Sequence, residues 1–369
     1  MRVLFQARPD LFTNPGGDTI QIQKTKDALE LRGIEIDLSL DLSPNLAVYD
    51  LVHLFNITRV HETYLQALNA NQQRKPIVLS TIYWNMDEYK RFARNFNPIK
   101  RTLGNLADYE PLRRRLLTFR DFLLGESANE ALKLQRAMGF RNQQIAVLHM
   151  ADILLPNSLV EYKLIQRDFS IDKPFMVVPN AADCDFAYSD KKAFVSEFGL
   201  EDFILAVGNI AIRKNYLALI RALKDTDLRI VIAGRTYDAE KRYAKLCRKE
   251  AGKHVLFIDG LERDMLASAY AAAKVHVLPS WYETPGLASL EAGLAGCNVV
   301  STDRGSAKEY FGDLVWYCDP ADLNSIRKAV LGAYAAPKTE SLKKLIAEKY
   351  TWDKAADITL NAYLACLAR

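Results

Sequence analysis

Two glutamates spaced eight positions apart are the residues of this chain best suited to chemistry. Glu283 lies in a turn that includes Pro285 and Gly286, and Glu291 lies in the Ala/Leu-rich segment that follows. The apolar run Val275–Leu278 just upstream predicts a short buried strand, so the expected unit runs strand, turn, helix. At 100° per residue, this spacing would bring the two carboxylates within about 80° of each other around a helix axis. We therefore expect both to face one ligand.

The start of the same predicted helix is a suitable site for an anion. The first N–H groups of a helix have no partner within the helix, and here they belong to Gly286, Leu287 and Ala288. Such groups bind phosphate because they point outward at the positive end of the helix dipole. Carboxylates bind hydroxyl groups and backbone amides bind phosphate. A site that combines the two suits a sugar nucleotide, which carries both kinds of group.

Two adjacent cations follow another predicted strand. The buried run Phe203–Val207 ends at Gly208, and the short loop after it carries Arg213 and Lys214 ahead of a helix. Two cations beside helix N–H groups would neutralise a diphosphate. The alternative interpretation is a basic loop that faces solvent.

A glycine pair follows the first predicted strand, Arg2–Gln6. Gly16 and Gly17 would let the backbone approach a phosphate closely, as it does in dinucleotide-binding folds. The loop does not match G-x-G-x-x-G, so a plain turn remains an open alternative.

A metal site is not expected. The pairs Asp183/Asp185 and Asp225/Asp227 match the D-x-D pattern that metal-dependent sugar transferases use, but one lies in the expected linker and the other in a polar turn. No group of His, Cys and Asp has the spacing of metal ligands. We expect neither a metal nor another cofactor.

The composition limits the class of protein. A chain of 369 residues exceeds the usual size of one hydrophobic core, so two domains are expected. A formal charge of +4 argues against a dedicated nucleic-acid binder. Five cysteines without a C-x-x-C pair, no signal peptide and no apolar run long enough to span a bilayer predict a soluble cytoplasmic protein.

Short apolar runs alternate with helical patterns along the chain, which predicts βαβ units and parallel sheets. One series occupies the first half, and a second begins near Phe203. We therefore expect an α/β fold with two Rossmann-like domains, and ligands in a cleft between them. The predicted domains are residues 1–185 and 186–349, followed by a C-terminal helix at 350–369.

The stretch from Lys90 to Arg120 is basic. It holds nine Lys and Arg against Asp108 and Glu110, with aromatic residues interleaved. Such a stretch would bind a phosphate-bearing acceptor or lie on the inner face of an anionic membrane. A solvated insertion is the alternative, and the sequence leaves these interpretations open.

Taken in order, these motifs resemble the family 4 retaining glycosyltransferases, which have the GT-B fold. The resemblance covers most of the chain, and its most specific part is the E-x7-E element with Pro-Ser before it. The matching positions are Gly16-Gly17, Val178-Pro179-Asn180 with Asp183, Val207-Gly208 with Arg213-Lys214, Val231-Ile232-Ala233-Gly234, Pro279-Ser280, Glu283 to Glu291, Gly293, Gly296 and Glu309.

The resemblance implies catalytic roles for three residues. Glu283 would contact the donor sugar and support charge at its anomeric carbon. Arg213 and Lys214 would stabilise the departing diphosphate. No protein nucleophile is implied, because in such enzymes the leaving phosphate is thought to deprotonate the acceptor on the same face.

The resemblance also implies a donor-binding set and a domain arrangement. Glu291 would bind the ribose hydroxyls, and the amides of residues 286–288 would hold the diphosphate with Gly16 and Gly17. The base would rest near Leu261. The N-terminal domain would bind the acceptor, and the C-terminal helix would cross back to pack on it.

The expected activity is therefore that of a retaining, metal-independent hexosyltransferase. The donor would be a UDP-sugar, UDP-glucose being expected, with the preference for UDP resting on family frequency alone. The acceptor would be a saccharide or lipid-linked saccharide of a bacterial surface polysaccharide. A nucleotide-sugar epimerase on the same fold, or a non-catalytic nucleotide-sugar-binding scaffold, remains an alternative.

Three positions depart from the family pattern. Asn209 stands where an arginine is common, and Pro285 where a phenylalanine is usual. Tyr83-Trp84 occupies the region in which a histidine commonly follows a strand. Stacking of a sugar ring on Tyr83 or Trp84 is one interpretation of the last departure.

Overall fold

The chain forms two compact units in a computed structural model that describes residues 1–97, 102 and 130–368. The first unit comprises Met1–Asn85, Arg94–Pro179 and Trp352–Arg369, and the second comprises Met86–Ala93 and Asn180–Thr351. The prediction of two Rossmann-like α/β domains is confirmed. The structural boundary at Pro179 comes slightly before residue 185, and the sequence does not predict that Met86–Ala93 belongs to the second unit.

The strands are short and mostly buried, and every strand pairing is parallel. They are β1 (Arg2–Gln6), β2 (Glu35–Ser39), β3 (Leu51–Phe55), β4 (Ile77–Ser80), β5 (Ile153–Leu155), β6 (Ile204–Val207), β7 (Ile230–Ala233), β8 (Val255–Ile258), β9 (Val275–Leu278), β10 (Asn298–Thr302) and β11 (Trp316–Cys318). Apolar runs such as those in β3 and β9 are typical of parallel strands, which helices cover on both faces.

The described α-helices, numbered in chain order, connect these strands. They are α1 (Gly17–Glu30), α2 (Val60–Gln72), α3 (Asp87–Ala93), α4 (Glu130–Met138), α5 (Phe140–Met150), α6 (Leu159–Phe169), α7 (Lys192–Phe198), α8 (Tyr216–Ala222), α9 (Lys241–Glu250), α10 (Arg263–Ala272), α11 (Leu287–Leu294), α12 (Ala307–Phe311), α13 (Leu323–Ala335), α14 (Glu340–Lys349) and α15 (Trp352–Leu367). In this described part of the chain, no helix is both long and apolar enough to cross a bilayer.

The strand order defines where each unit can bind a ligand. The first sheet has the order β2-β1-β3-β4-β5, and the second has the order β11-β10-β9-β6-β7-β8. In both sheets the chain reverses its direction of winding between two adjacent strands, β1 and β3 in the first and β6 and β9 in the second. Ligands in open α/β sheets bind beyond the carboxyl ends of the strands at such a switch point.

The C-terminal helix belongs to the first unit, as expected. At its start, Asp353 and Asp357 form ion pairs with Arg32 after α1, at 3.2 Å and 2.6 Å. Deeper in the unit, the Tyr363 hydroxyl lies 2.6 Å from Nδ1 of the buried His53. The other ring nitrogen of His53 lies 2.9 Å from the Ser80 hydroxyl. The helix is therefore anchored both at the surface and through a buried polar chain.

The basic stretch at 90–120 is described only in part. Residues 98–101 and 103–120 lie outside the described residues. Lys90 and Arg91 are exposed on α3. Contact of this stretch with a membrane or a phosphate-bearing acceptor stays a prediction.

Tyr363→Phe tests the buried anchor of α15. Removing the hydroxyl leaves a nitrogen of the buried His53 without its hydrogen-bond partner, so we expect a loss of about 1–3 kcal/mol of stability. Scanning calorimetry should detect it as a lower unfolding temperature. The control is Tyr188→Phe, because the Tyr188 side chain is exposed. Equal unfolding temperatures for the two variants would contradict the anchoring role of the Tyr363 hydroxyl.

Candidate active site

The cations Arg213 and Lys214 lie in a 3₁₀ turn, Ile212–Lys214, beyond the carboxyl end of β6. Gly208, which directly follows that strand, has φ +133°, a conformation that a residue with a side chain rarely adopts. A Cβ atom there would lie 3.2 Å from Cε of Lys214 and 3.3 Å from the Tyr216 hydroxyl. The missing side chain therefore makes room for Lys214 to lie along the strand end.

Glu283 follows β9, the strand adjacent to β6, and its backbone is fixed from two sides. The Trp281 N–H donates to the carbonyl of Arg213 at 2.9 Å, which joins the two loops directly. On the other side, the Glu283 N–H donates to the Arg304 carbonyl at 3.2 Å, and the Ser306 N–H donates to the Glu283 carbonyl at 3.0 Å. Backbone hydrogen bonds from the loops after β6 and β10 thus determine where this carboxylate lies.

The three side chains meet in one charge cluster. Nζ of Lys214 lies 2.7 Å from Oε1 of Glu283, and Nη1 of Arg213 lies 3.1 Å from the same oxygen. Arg213 also donates to the Tyr282 carbonyl at 3.0 Å, and its guanidinium lies 5.1 Å from the centre of the Tyr282 ring. Two cations share one carboxylate, so the cluster carries one unit of excess positive charge at neutral pH.

Burial and charge act in opposite directions on the titration of this cluster. Burial alone would raise the pKa of Glu283, but the positive charges of Lys214 and Arg213 lower it to about 2. For Lys214, burial dominates and lowers the pKa of the ammonium despite its carboxylate partner. Glu283 is only 6% exposed, yet it stays ionised across the physiological range.

The start of α11 lies next to the Glu283 carboxylate. Gly286 precedes the helix with φ +95°, and a Cβ atom there would lie 3.1 Å from Cδ1 of Leu278 and 3.5 Å from Oε2 of Glu283. The first hydrogen bond of the helix runs from the Ser289 N–H to the Gly286 carbonyl, at 3.0 Å. The N–H groups of residues 286–288 therefore lie ahead of that bond, at the start of the helix. The backbone amides that the sequence suggests for an anion therefore lie beside the charge cluster, and their binding of a phosphate stays a prediction.

The two glutamates are not related as the sequence argument assumed. Glu283 lies in the turn before α11, whereas Glu291 is the fifth residue of that helix. The angle between two positions of one helix therefore does not apply to this pair. Glu291 accepts a hydrogen bond from the Tyr270 hydroxyl at 3.1 Å. Leu261, the expected neighbour of the base, is partly buried against the core of the same unit.

The predicted glycine loop lies in the first unit, at the start of α1. Gly16 precedes the helix, and its N–H donates to the Thr19 hydroxyl at 3.0 Å. The partly buried Arg8 fixes this loop through ion pairs with Asp10 and Asp18, both at 2.8 Å. Gly17 is exposed as the first residue of the helix. The part that Gly16 and Gly17 play in donor binding stays a prediction.

The sugar-stacking interpretation of Tyr83 is wrong, because its ring belongs to the core of the first unit. Tyr83 is 7% exposed and packs edge-on against Phe169, with ring centres 5.1 Å apart. Its hydroxyl donates to Asp168 at 2.8 Å, and its N–H donates to the buried Glu161 at 2.7 Å. Stacking on the partly exposed Trp84 stays a prediction.

The first of the two D-x-D pairs is engaged by a cation. Arg263 forms ion pairs with Asp183 and Asp185, which occupies both carboxylates of that pair. The carboxylates of the second pair, Asp225 and Asp227, are exposed. Within the described residues, no group of three or more His, Cys, Asp and Glu side chains is arranged to hold a metal ion.

Sequence reasoning missed Gly305, which lies against the backbone of Glu283. Gly305 has φ +123°, and a Cβ atom there would lie 1.9 Å from the Glu283 carbonyl oxygen. Only a residue without a side chain allows the loop after β10 to pair with the turn after β9. The sequence contains one weak signal for it, a glycine in the polar run Asp303–Ser306 directly after a predicted strand.

Comparison with known structures identifies the fold as GT-B, the fold of many glycosyltransferases. Sucrose-phosphate synthase from Thermosynechococcus elongatus matches with a TM-score of 0.74 and 16% identity, over 100% of this chain and 99% of that one. HepE from Anabaena, solved with UDP and glucose, matches with a TM-score of 0.68 and 14% identity, over 99% and 100%. At such identities the likeness establishes the fold.

Comparison of sequences finds similar proteins for the second unit. Residues 189–352 match the family model described as Glycosyl transferases group 1. An uncharacterized glycosyltransferase from Methanocaldococcus jannaschii is 31% identical over 196 residues, which cover 49% of this chain and 50% of the relative. O-antigen chain mannosyltransferase B from Escherichia coli is 26% identical over 177 residues, which cover 44% and 46%.

A third relative is the N-acetylgalactosamine-N,N'-diacetylbacillosaminyl-diphospho-undecaprenol 4-alpha-N-acetylgalactosaminyltransferase of Campylobacter jejuni. It is 32% identical over 168 residues, which cover 44% of this chain and 45% of the relative. The matches thus span about half the length of these relatives. The resemblance to GT-B glycosyltransferases is confirmed, and residues 189–352 form the part of the chain that carries the family match.

Glu283→Gln tests the ionised state of the buried carboxylate. Folding lowers the pKa of Glu283 from about 4.5 to about 2. The ionised carboxylate therefore stabilises the folded protein above the unfolded pKa, and this stabilisation is lost as the pH falls through the folded pKa. We expect the wild-type protein to be the more stable at pH 7, and the difference to shrink between about pH 4.5 and about pH 2. Urea unfolding at several pH values measures it. A difference that does not change with pH would contradict the assignment.

Gly305→Ala tests the close approach of the two loops, and Gly296→Ala is its matched control. Both glycines have positive φ, at +123° and +87°, so both variants acquire backbone strain. Only at position 305 would the new Cβ also collide with the Glu283 carbonyl, because nothing lies within 4 Å of a Cβ at position 296. We expect Gly305→Ala to be the more destabilised in urea by about 2 kcal/mol or more. Equal losses would show that the contact is unimportant.

Proposed function

We propose that this protein is a retaining glycosyltransferase that moves a hexose from a nucleoside-diphosphate sugar to a saccharide or lipid-linked saccharide. UDP-glucose is the proposed donor, and bacterial surface polysaccharide synthesis the proposed setting. The observation that carries the proposal is the cluster of Arg213, Lys214 and Glu283 beside the start of α11. Its excess positive charge and adjacent backbone amides suit a leaving diphosphate better than any neutral ligand.

The chemical step follows from that charge distribution. The bond between the anomeric carbon and the diphosphate oxygen breaks, and its electrons move onto the diphosphate beside Lys214 and Arg213. The acceptor oxygen bonds to the anomeric carbon on the same face, and its proton passes to the departing phosphate oxygen. Glu283 supports the positive charge that develops on the sugar ring.

The protonation states argue against a protein base in this cluster. Glu283 has a pKa of about 2 and is therefore a weak base at neutral pH. His276 lies below the cluster in β9 and is fully buried, and burial lowers its pKa to about 3. Neither group is suited to remove a proton from a sugar hydroxyl, so we assign that role to the diphosphate.

The rate enhancement would then come from position and electrostatics. Holding donor and acceptor together contributes several kcal/mol, and fixed positive groups at a developing negative charge typically contribute a further factor of about 10²–10³ each. Because the cluster is already paired before donor binds, its geometry needs little reorganisation during the reaction. No metal takes part in this proposal, since Lys214, Arg213 and the helix start supply the positive charge.

The relatives support the choice of donor and acceptor. HepE is solved with UDP and glucose, the E. coli relative is named for O-antigen chains, and the C. jejuni relative is named for a diphospho-undecaprenol-linked saccharide. We propose by analogy a UDP-sugar donor and a saccharide acceptor, with the protein in the cytoplasm. For a lipid-linked acceptor it would work at the inner face of the membrane, and residues 90–120 would contribute the basic contact.

A thermal-shift screen of UDP-, GDP- and ADP-sugars tests the donor. A ligand that binds only the folded state stabilises it by RT ln(1 + [L]/Kd), which is about 2.7 kcal/mol at one hundred times Kd. We expect UDP-glucose to give the largest shift. A larger shift with a GDP- or ADP-sugar would show that the donor carries guanine or adenine and not uracil. No shift with any of these nucleotide sugars would contradict the donor class.

Lys214→Ala and Glu283→Ala test the catalytic cluster. With donor saturating, we expect each to lower kcat for sugar transfer by a factor of about 10²–10³. The control is Lys245→Ala, because Lys245 is exposed on α9 in the same unit. Unchanged turnover in either cluster variant would contradict the assigned roles. A new nucleotide sugar formed without any acceptor would instead favour the epimerase, and donor binding without turnover would favour the scaffold.

A further inference from the structure

A short helix from the N-terminal half of the chain is built into the second unit. The chain leaves the first unit after Asn85 and returns to it at Arg94, and between these points Met86–Ala93 belongs to the unit that carries the charge cluster. This segment, Met86–Ala93, contains the whole of α3 (Asp87–Ala93). No motif in the segment indicates why it should lie there, so its contacts must provide the reason.

Two contacts anchor α3 at its ends. The Phe92 ring lies against the Trp281 ring, with centres 4.3 Å apart. Glu88 forms an ion pair with Arg304, with Oε2 and Nε 3.1 Å apart. Trp281 and Arg304 lie in the two loops whose backbones hold Glu283. The helix therefore spans the turn after β9 and the loop after β10.

The middle of α3 reaches the charge cluster through Tyr282. The Tyr89 ring meets the Tyr282 ring edge to face, with centres 5.9 Å apart at 68°. The Tyr282 hydroxyl lies 3.4 Å from Sδ of Met86. The other neighbour of the Tyr282 ring is the guanidinium of Arg213, at 5.1 Å. Tyr282 is thus held between α3 and the cation.

This arrangement adds an aromatic contact to the two hydrogen bonds that hold the Arg213 guanidinium. The Arg213 side chain is 31% exposed, compared with 12% for Lys214, and arginine has many accessible rotamers. An aromatic face holds a guanidinium by cation–π attraction only while the ring keeps its own orientation. The orientation of the Tyr282 ring is restricted by the Tyr89 ring that packs on it and by Met86 at its hydroxyl.

We propose that α3 is part of the diphosphate site, and that Tyr89 is a positioning residue that holds Tyr282 and thereby Arg213. The proposal rests on the proposed function, because it assumes that Arg213 contacts the donor diphosphate. Tyr89 does not touch the ligand and acts only through the Tyr282 ring. The aromatic ring of Tyr89, and not its hydroxyl, is the part that matters.

Calorimetric titration with UDP tests the proposal without requiring an acceptor. We expect Tyr89→Ala to weaken UDP binding by about tenfold, and Tyr89→Phe to bind as the wild-type protein does, because the ring is retained. The matched control is Tyr188→Ala, the same substitution at a side chain that is 87% exposed in the same unit, with unchanged UDP affinity expected. Wild-type affinity in Tyr89→Ala would overturn the proposal.

A double-mutant cycle separates positioning from a general loss of structure. If Tyr89 acts through Tyr282, Tyr89→Ala should weaken UDP binding no further in a Tyr282→Ala background. Additive losses would overturn the proposal. Glu88→Gln removes the ion pair with Arg304 and so loosens α3 without changing any aromatic ring. We expect it to weaken UDP binding about twofold. This variant still tests the proposal if Tyr89→Ala fails to fold. Full affinity in Glu88→Gln would then overturn the proposal.

The same titrations distinguish failure of this proposal from failure of the proposed function. If the wild-type protein binds none of UDP, GDP and ADP, the nucleotide-sugar function is wrong and the role of α3 in it falls too. If the wild-type protein binds UDP and all α3 variants bind equally well, the function stands and only the positioning role of Tyr89 is overturned.

Discussion

A single buried carboxylate shared by two cations sets the constraints on the second unit. Removing three charges from water costs several kcal/mol for each ion unless their partners are held in good geometry. The Glu283 N–H donates to the Arg304 carbonyl and the Glu283 carbonyl accepts from the Ser306 N–H, so the backbone position of Glu283 does not depend on its own side-chain packing. The close glycine contacts at Gly208, Gly286 and Gly305 all serve this arrangement, because a Cβ atom at each would meet the cluster or the backbone that carries it.

Topology explains why these residues meet at all. Arg213 and Glu283 are separated by seventy positions in the chain, yet they follow strands that are neighbours in the sheet. The winding of the chain reverses between β6 and β9, and the loops that follow these two strands meet at the carboxyl edge of the sheet. A diphosphate entering there would meet the cluster and the start of α11 together. The Glu283 carboxylate offsets part of the cost of burying the two cations.

Much of the fold can be predicted from the sequence because it depends on local patterns. The runs at Arg2–Gln6, Leu51–Phe55, Val255–Ile258 and Val275–Leu278 coincide with the strands, since parallel strands buried on both faces are continuous apolar segments. The cluster of Arg213, Lys214 and Glu283 is also predictable, because each lies directly after such a strand. The angular argument for Glu283 and Glu291 fails for a local reason: the helix begins only at Leu287, after the Pro-Gly turn.

The sequence by itself determined two parallel-sheet domains, the charge of the site and the identity of its three ionised groups. Only the tertiary structure decided which neighbours hold those groups. Tyr83 lies in the core of the first unit, whereas Tyr89, six residues later, packs on Tyr282 in the second. Nothing in the local pattern distinguishes these two tyrosines. The burial of each depends on contacts with residues that are far away in the chain, and such contacts form only when the whole fold is present.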